Sequence, residues 1–320
     1  MATVLVFVPA VGGAPDKVGL QALALGTQHA AGGAVHALVL ADDAAAAELG
    51  AWGASSVHLA KHDALATSAP DAAARIVSDL AGTLGADFVV GPGTEEGNTV
   101  LARAAARDGL PFAANCTVVT PGSPVTVTRS RWGGSLLEQA AIHADRAFLT
   151  VAAHVFEAAQ TGGSASVAAF TPQLDDADLA VRVVGRVPAP SGGVSLSDAK
   201  VVVSGGRGAG SADGFAPIVD LAGLLGAAVG CSRAVTIAGW RPHTEQVGQT
   251  GTKIAPELYI AAGISGATQH LAGCKGAKRI LAINKDPESP IMTAADYAVI
   301  GDMAEVLPAI SAEIRRARGA

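Results

Sequence analysis

Aromatic side chains are scarce in this 320-residue chain: Trp, Tyr and Phe make up 4% of it, although half of all residues are hydrophobic. The excess is Ala, beside 39 Gly. Long apolar runs are missing too. No stretch approaches the roughly 18 consecutive apolar residues that span a bilayer, so the composition describes a well-buried, water-soluble protein. Cysteine is rare: Cys116, Cys231 and Cys274 lie far apart without a CxxC pair, which excludes a disulfide framework and predicts buried, reduced thiols. Basic runs are absent apart from the terminal RRAR, and the net charge is −6; nucleic acid is therefore not an expected partner. The opening MATVLVFVPA has no basic region before its apolar run, which argues against a signal peptide and for a cytoplasmic location. There is no HExxH, no GxSxG, no His/Cys spacing suited to a metal and no positional case for a Ser-His-Asp triad. His143 and His154 fall in expected strand regions, where structural histidines are the default. Nothing here is built for hydrolysis.

What is present first is a rhythm. Thr3–Val8 reads as a strand, Lys17–Ala31 as an amphipathic helix, Val35–Leu40 as a strand and the Ala-rich run from about Asp42 as a helix. Val57–Ala60 is a short strand; Asp71–Leu84 is a helix opening after Pro70. Phe88–Val90 is a strand, and Glu95–Arg107 a helix whose first-turn acids suit its dipole. Such alternation predicts a parallel sheet with right-handed crossovers. After Pro111 the segments Cys116–Thr120, Val125–Arg129, Ser135–Ile142 and Ala147–Val151 read as antiparallel strands completing the same domain. Ala180–Val187 is a last extended segment, and the Pro/Gly/Ser-rich PAPSGGVSLSDAK reads as a linker. A second unit follows: strand Lys200–Val203, a helix near Phe215–Leu225, strand Leu258–Ala262, helix Gly266–Cys274, strands Ile280–Ile283 and Tyr297–Ile300, and a closing helix from Ala304. The expected architecture is α/β in two domains, residues 1–187 and 200–320 joined by a linker at 188–199. The first carries additional antiparallel strands and the second is a doubly wound parallel sheet.

Function is concentrated at the ends of the second domain's strands. SGGRGAG, Ser204 to Gly210, follows an apolar strand, so its glycines sit where open α/β sheets bind ligands. Glycine lets backbone N–H groups approach phosphate, and Arg207 adds a charged contact. The spacing is neither GxGxxG nor the Walker pattern, and a tight turn accounts for it nearly as well. In GISGATQH, a buried strand stops at Ser265–Gly266 and a helix follows, with Ser265 as its expected N-cap and Gln269 and His270 in its first turns. VGQTG, Val247 to Gly251, is either a surface loop or a set of donors to a heteroaromatic ring. Asn284 and Asp302 end strands, suited to sugar hydroxyls or phosphate, or to capping a turn. Arg233, in CSRAV, stays cationic at any relevant pH and would stabilise electron-rich states of a redox ring, unless it is a surface ion pair.

CSRA, VGQTG, APELYIAAGISGATQHLAG and LAINKDPESPI closely resemble the α subunit of electron transfer flavoprotein. The match is dense from about Val201 to Ile300. The resemblance implies a heterodimer with a β subunit and one FAD held mainly by the second domain. It implies electrons taken from flavin dehydrogenases, as in fatty acid β-oxidation, and passed singly to a membrane quinone oxidoreductase. By that resemblance Arg207, Ser265 and Gly266 lie near the phosphates and ribityl chain, Ser232 and Asn284 contact the same cofactor, Asp302 marks its adenosine end, and Met303 is also among the cofactor-binding residues. The resemblance implies that Gln249 and Thr250 face the N5/O4 edge of the flavin, with Val247 and Gly248 also among the cofactor-binding residues. Ala267, Thr268, Gln269 and His270 lie along the cofactor, with His270 toward N1/O2 and Arg233 near the ring, supplying positive charge or donors to the one-electron-reduced flavin.

The protein is expected to be a carrier, with the electron chemistry belonging to the flavin. Two rivals stand beside it: a subunit of an electron-bifurcating, NADH-oxidising flavoprotein, and a colourless adenine-nucleotide-binding regulatory module. A pyridine-nucleotide dehydrogenase is disfavoured by the missing GxGxxG.

Overall fold

Val4, Val6 and Val8 pack into one hydrophobic cluster and Leu5 and Phe7 into another, the two-sided burial of a central parallel strand. The computed structural model describes residues 1–67, 69–132, 136–185 and 194–319. The chain divides into two compact units, Met1–Arg186 and Val187–Ala320.

The first unit begins with β1 (Val4–Phe7), a small hairpin of β2 (Ala10–Val11) and β3 (Ala14–Pro15), α1 (Lys17–Ala30), β4 (Val35–Leu40), α2 (Asp43–Glu48) and β5 (Ser56–Ala60). It continues with α3 (Pro70–Leu84), β6 (Phe88–Pro92), α4 (Glu95–Asp108), β7 (Phe112–Thr120), β8 (Val125–Arg131), β9 (Leu136–Ile142), β10 (Ala147–Val151) and β11 (Ser166–Phe170). Local chemistry sets the helix starts: the Asp16 carboxylate accepts from Gly19 N at 2.8 Å, and Thr94 Oγ1 from Gly97 N at 3.1 Å. Pro70 opens α3, where its missing N–H costs nothing. The sheet runs β11-β5-β4-β1-β6-β10-β7-β8-β9.

One expectation is corrected here. β10 pairs parallel with both β6 and β7, so among the described residues of this sheet only the β7–β8 and β8–β9 pairs are antiparallel. Every residue of β10 is buried, as suits a strand inserted between two neighbours in the sheet interior rather than one closing its edge. The structure adds β11, which pairs parallel with β5 although most of its residues are exposed. The segment from Ala180 runs beside Thr67 and Ala69 through Ala69 N–Val181 O and Val183 N–Thr67 O hydrogen bonds; its end, the residue Ser135 and the linker's Pro188–Gly193 lie outside the described residues. His143 follows β9 rather than lying in it, and His154 occupies a turn at φ +64°.

The second unit contains β12 (Val201–Gly205), α5 (Ala216–Leu225), β13 (Ala228–Cys231), α6 (Arg233–Ile237), β14 (Leu258–Ala262), α7 (Thr268–Cys274), β15 (Ile280–Asn284), α8 (Pro290–Ala294), β16 (Tyr297–Ile300) and α9 (Met303–Ala317). Its five strands are all parallel in the order β13-β12-β14-β15-β16. Numbered within the unit this is 2-1-3-4-5, a doubly wound sheet whose connections reverse direction between β12 and β14. Val202, Tyr259 and Ala261 pack on one face, Val203, Ile260 and Ala262 on the other. Leu196 and Ala199 are buried in the first of these clusters. Among the described residues no helix is long and apolar enough to cross a membrane.

Candidate functional site

The reversal leaves a crevice at the carboxyl ends of β12 and β14, and the loops there are held together by backbone. Gly206 N donates to Ala262 O and Gly208 N to Gly263 O, both at 3.0 Å. A Cβ on Gly206 would lie 2.1 Å from Gly263 O, so this approach requires glycine. Around the crevice opens a pocket of about 660 Å³, within the range of cofactor sites.

Each strand end contributes to it. β12 delivers Gly206, Arg207 and Gly208; β13 and α6 deliver Ser232, Arg233, Ala234 and Ile237. The loop after α6 supplies Gln246 to Thr250, and β14 with α7 supplies Gly263 to Ala267, Gln269 and His270. β15 and β16 add Asn284, Lys285, Asp286, Ser289, Gly301, Asp302 and Met303. Of the sixteen residues expected from sequence, the pocket gathers Arg207, Ser232, Arg233, Val247, Gly248, Gln249, Thr250, Ser265, Gly266, Ala267, Gln269, His270, Asn284, Asp302 and Met303.

Thr268 is the exception. It starts α7 but does not line the pocket, because the helical turn carries it off the face on which Gln269 and His270 stand. The expected N-cap also moves: the position belongs to Ala267, whose side chain cannot accept, and Ser265 lies two residues earlier. Gly266, at φ +79°, lets the loop turn where a Cβ would stand 2.3 Å from Ile291 N.

Electrostatics divide the lining. Arg207 and Arg233 are exposed, and neither guanidinium has an ion pair or side-chain hydrogen bond among the described residues. Lys285 Nζ sits 2.7 Å from Asp302 Oδ2, and Asp302 caps α9 through Ala304 N at 2.9 Å. The lysine first and the backbone N–H second hold the Asp302 carboxyl below its ordinary range. The Asn284 amide is engaged with Ile264 O at 2.8 Å and Ser289 Oγ at 3.1 Å, fixing the loop after β14.

The VGQTG loop is tied down from two sides. Gln249 N donates to Gln269 O at 2.7 Å, and the nearly fully buried Gln246 donates from Nε2 to Thr250 Oγ1 at 3.0 Å. His270 is buried, with Nε2 2.7 Å from Tyr259 Oη and Nδ1 without a hydrogen-bond partner among the described residues. Burial lowers its pKa to about 4, against the Val247 backbone, which raises it. The ring is therefore neutral near pH 7, so of the expected positive charge or donors His270 offers a donor, or an acceptor, and no charge.

Gln246, Lys285 and Ser289 were missed by sequence reasoning. Gln246 immediately precedes VGQTG and Lys285 sits inside INKDP, so both were visible as neighbours of motifs, but nothing in the sequence aims them. All three cysteines are free and buried, which pushes Cys116 and Cys231 up to about 12 and Cys274 to about 11. Among the described residues no group of three His, Cys, Asp or Glu could hold a metal.

A parallel 2-1-3-4-5 sheet with a cation-bearing pocket at its reversal defines a doubly wound α/β protein, a class that takes its ligands at the carboxyl ends of the strands. Residues 195–275 match the electron transfer flavoprotein FAD-binding domain, and residues 4–176 the electron transfer flavoprotein domain. The chain is 40% identical over 300 residues to electron transfer flavoprotein subunit alpha of Pseudomonas aeruginosa, covering 92% of this chain and 95% of that protein. The same-named subunit of Bacillus subtilis is 36% identical over 306 residues, 94% and 93% of the two chains. That of Mycobacterium leprae is 37% identical over 269 residues, 83% of each. The chain belongs to the electron transfer flavoprotein alpha-subunit family, and its cofactor is FAD.

The residues present fit that group. The Arg207 guanidinium suits a diphosphate and that of Arg233 a ring that gains electron density, the glycine-lined loops leave backbone accessible, and a buried histidine nitrogen without a partner among the described residues awaits one.

Proposed function

We propose that this pocket holds one FAD and that the chain, paired with a β subunit in the cytoplasm, is an electron carrier rather than an enzyme with its own substrate. It takes electrons from flavin dehydrogenases and passes them singly to a membrane quinone oxidoreductase. The observation that carries the reading is the pair of unpaired cations, Arg207 and Arg233, on a pocket at the sheet's reversal. When bound, the flavin supplies the redox chemistry.

The chain's residues bind and tune. Arg207 and the Gly206–Gly208 turn meet the phosphates, with Ser265 and Gly266 beside the ribityl chain. Ser232 and Asn284 contact the cofactor between its ends, and Asp302 and Met303 border the adenosine. Val247, Gly248, Gln249 and Thr250 present the loop edge to the ring, Ala267 and Gln269 line its path, and His270 offers one neutral polar nitrogen. Arg233 places a cation where electron density rises on reduction.

The test is an absorbance spectrum of the chain co-purified with its β subunit, with FAD quantified and the complex titrated with dithionite. Flavin bands at one FAD per heterodimer, bleached by reductant and restored by an acceptor, are expected. A colourless complex that also refuses added FAD would overturn the reading.

A further inference from the structure

Tyr259 is the largest side chain that the second unit buries completely, and it does not line the pocket. It stands on β14 behind His270, with its phenol oxygen 2.7 Å from His270 Nε2. The opposite ring nitrogen, Nδ1, belongs to a residue that lines the pocket, is 6% exposed and leaves this atom without a partner. The imidazole thus bridges a fully enclosed phenol and the cavity.

The proton count on this pair is fixed. Burial holds the Tyr259 pKa well above the ordinary phenol range, so the oxygen keeps its hydrogen. Burial likewise keeps His270 neutral near pH 7, so the ring carries one hydrogen on one of two nitrogens. His270 Nε2 is the phenol's only hydrogen-bond partner among the described residues; the nearby Ser204 hydroxyl draws the phenol pKa down but lies outside hydrogen-bonding geometry. A ring hydrogen on Nε2 would set two donors against each other or turn the phenol hydrogen off the ring toward Ser204 Oγ, which stands outside hydrogen-bonding geometry. A ring hydrogen on Nδ1 lets Oη–H donate to Nε2 and leaves Nδ1–H, on a ring that lines the pocket beside the Val247 backbone, without a hydrogen-bond partner among the described residues.

We propose that Tyr259 is a positioning residue that fixes the tautomer of His270, so that Nδ1–H is presented as a donor to a carbonyl-type acceptor of the bound isoalloxazine. This rests on the FAD reading for the identity of the acceptor, but the tautomer itself belongs to the protein. It makes a buried, non-contacting phenol a determinant of what the pocket recognises. An acceptor opposite Nδ1 is bound, and a donor there is refused.

The full-length chain labelled with 15N-histidine decides it, by long-range proton–nitrogen correlation with and without FAD, with His270 assigned by the loss of its signals in His270→Gln. The expected wild-type spectrum has a protonated Nδ1 and an acceptor-type Nε2 already without FAD. In Tyr259→Phe the ring becomes a mixture of tautomers and the FAD dissociation constant rises about two- to tenfold, the worth of one hydrogen bond. A protonated Nε2 in the wild type overturns the proposal, and so does a Tyr259→Phe chain with unchanged tautomer and unchanged affinity. If the phenylalanine variant does not fold, the wild-type spectrum is sufficient to uphold or overturn the assignment. A chain that shows the expected tautomer yet binds no FAD sinks the cofactor reading and leaves the role of Tyr259 standing.

Discussion

Gly248 and Gly273 meet backbone to backbone: a Cβ on Gly273 would lie 2.3 Å from Gly248 N and 2.4 Å from its Cα. The contact presses the VGQTG loop against α7, and Gln249 N–Gln269 O stitches the same two elements. The loop can take up its place on the pocket only because α7 lacks a side chain there.

Gly273→Ala should therefore destabilise the chain by about 1–3 kcal/mol, the range for overpacking a filled site, and weaken FAD binding as the loop is displaced. Gly82→Ala is the control. It lies in α3 with nothing within 4 Å of a new Cβ, and should raise stability by about 0.4–1 kcal/mol. Urea unfolding of both variants checks the pair, and equal effects would discount the contact.

Arg233 bears on the potential of the bound cofactor. A charged hydrogen bond is worth about 1.5–3 kcal/mol, which at about 1.4 kcal/mol per 59 mV corresponds to roughly 60–130 mV for one electron. Arg233→Ala should lower the first one-electron potential of the FAD-loaded heterodimer by tens of millivolts. Arg233→Lys, which keeps charge without the planar fork, should recover part of it. An unchanged redox titration would remove Arg233 from the tuning.

His270 makes stability depend on pH. Its folded-state pKa, about 4, lies below the ordinary 6.5, so between these values the unfolded chain binds a proton that the folded chain refuses. The contribution is complete above pH 6.5 and is lost as pH falls toward 4, reaching about 3 kcal/mol at about 1.4 kcal/mol per pH unit. His29, His36 and His58, also lowered by burial, act in the same direction. Urea unfolding at pH 7 and 4.5 should show a smaller loss for His270→Gln than for the wild type.

Gln246 holds two hydroxyls at once: Thr236 Oγ1 donates to its Oε1 at 2.7 Å, while its Nε2 donates to Thr250 Oγ1 at 3.0 Å. Gln246→Leu removes both bonds, although Thr236 Oγ1 keeps Arg233 O at 2.9 Å and Thr250 is exposed to water, and at about 0.5–1.5 kcal/mol per bond should cost about 1–3 kcal/mol. In a double-mutant cycle with Thr250→Val the two losses should fall short of additive, because they share one bond. Strict additivity would mean that the amide does not position Thr250.

Much of this architecture was legible in the sequence. The alternation from Thr3 to Arg107 announced parallel crossovers, because buried parallel strands and amphipathic helices leave different periods in the chain. Elements without such a period were harder to see. Ala228–Cys231 is four residues including a glycine, and Ser166–Phe170 is mostly exposed, so neither carries the apolar signature of a strand. β10 was seen as a strand but given the wrong direction, since burial on both faces reports position in a sheet and not the sense of the chain.

By itself the sequence determined which residue types stand at the strand ends of the second unit. A buried run that stops at Gly, Ser or Asn must turn there, and that brought Arg207, Ser265, Asn284 and Asp302 into view. It also determined the family, through motifs too long to arise from composition. Only the tertiary structure decided which side chains are charged, spent or free. Thr268 turns away from the pocket, Asn284 is engaged in holding a loop, and Lys285 is drawn to Asp302. His270 is neutral because it is enclosed, and one of its ring nitrogens is engaged by Tyr259, eleven positions earlier in the chain. Desolvation and hydrogen-bond direction depend on what surrounds an atom in space, and that is settled by packing between strands and helices distant in sequence.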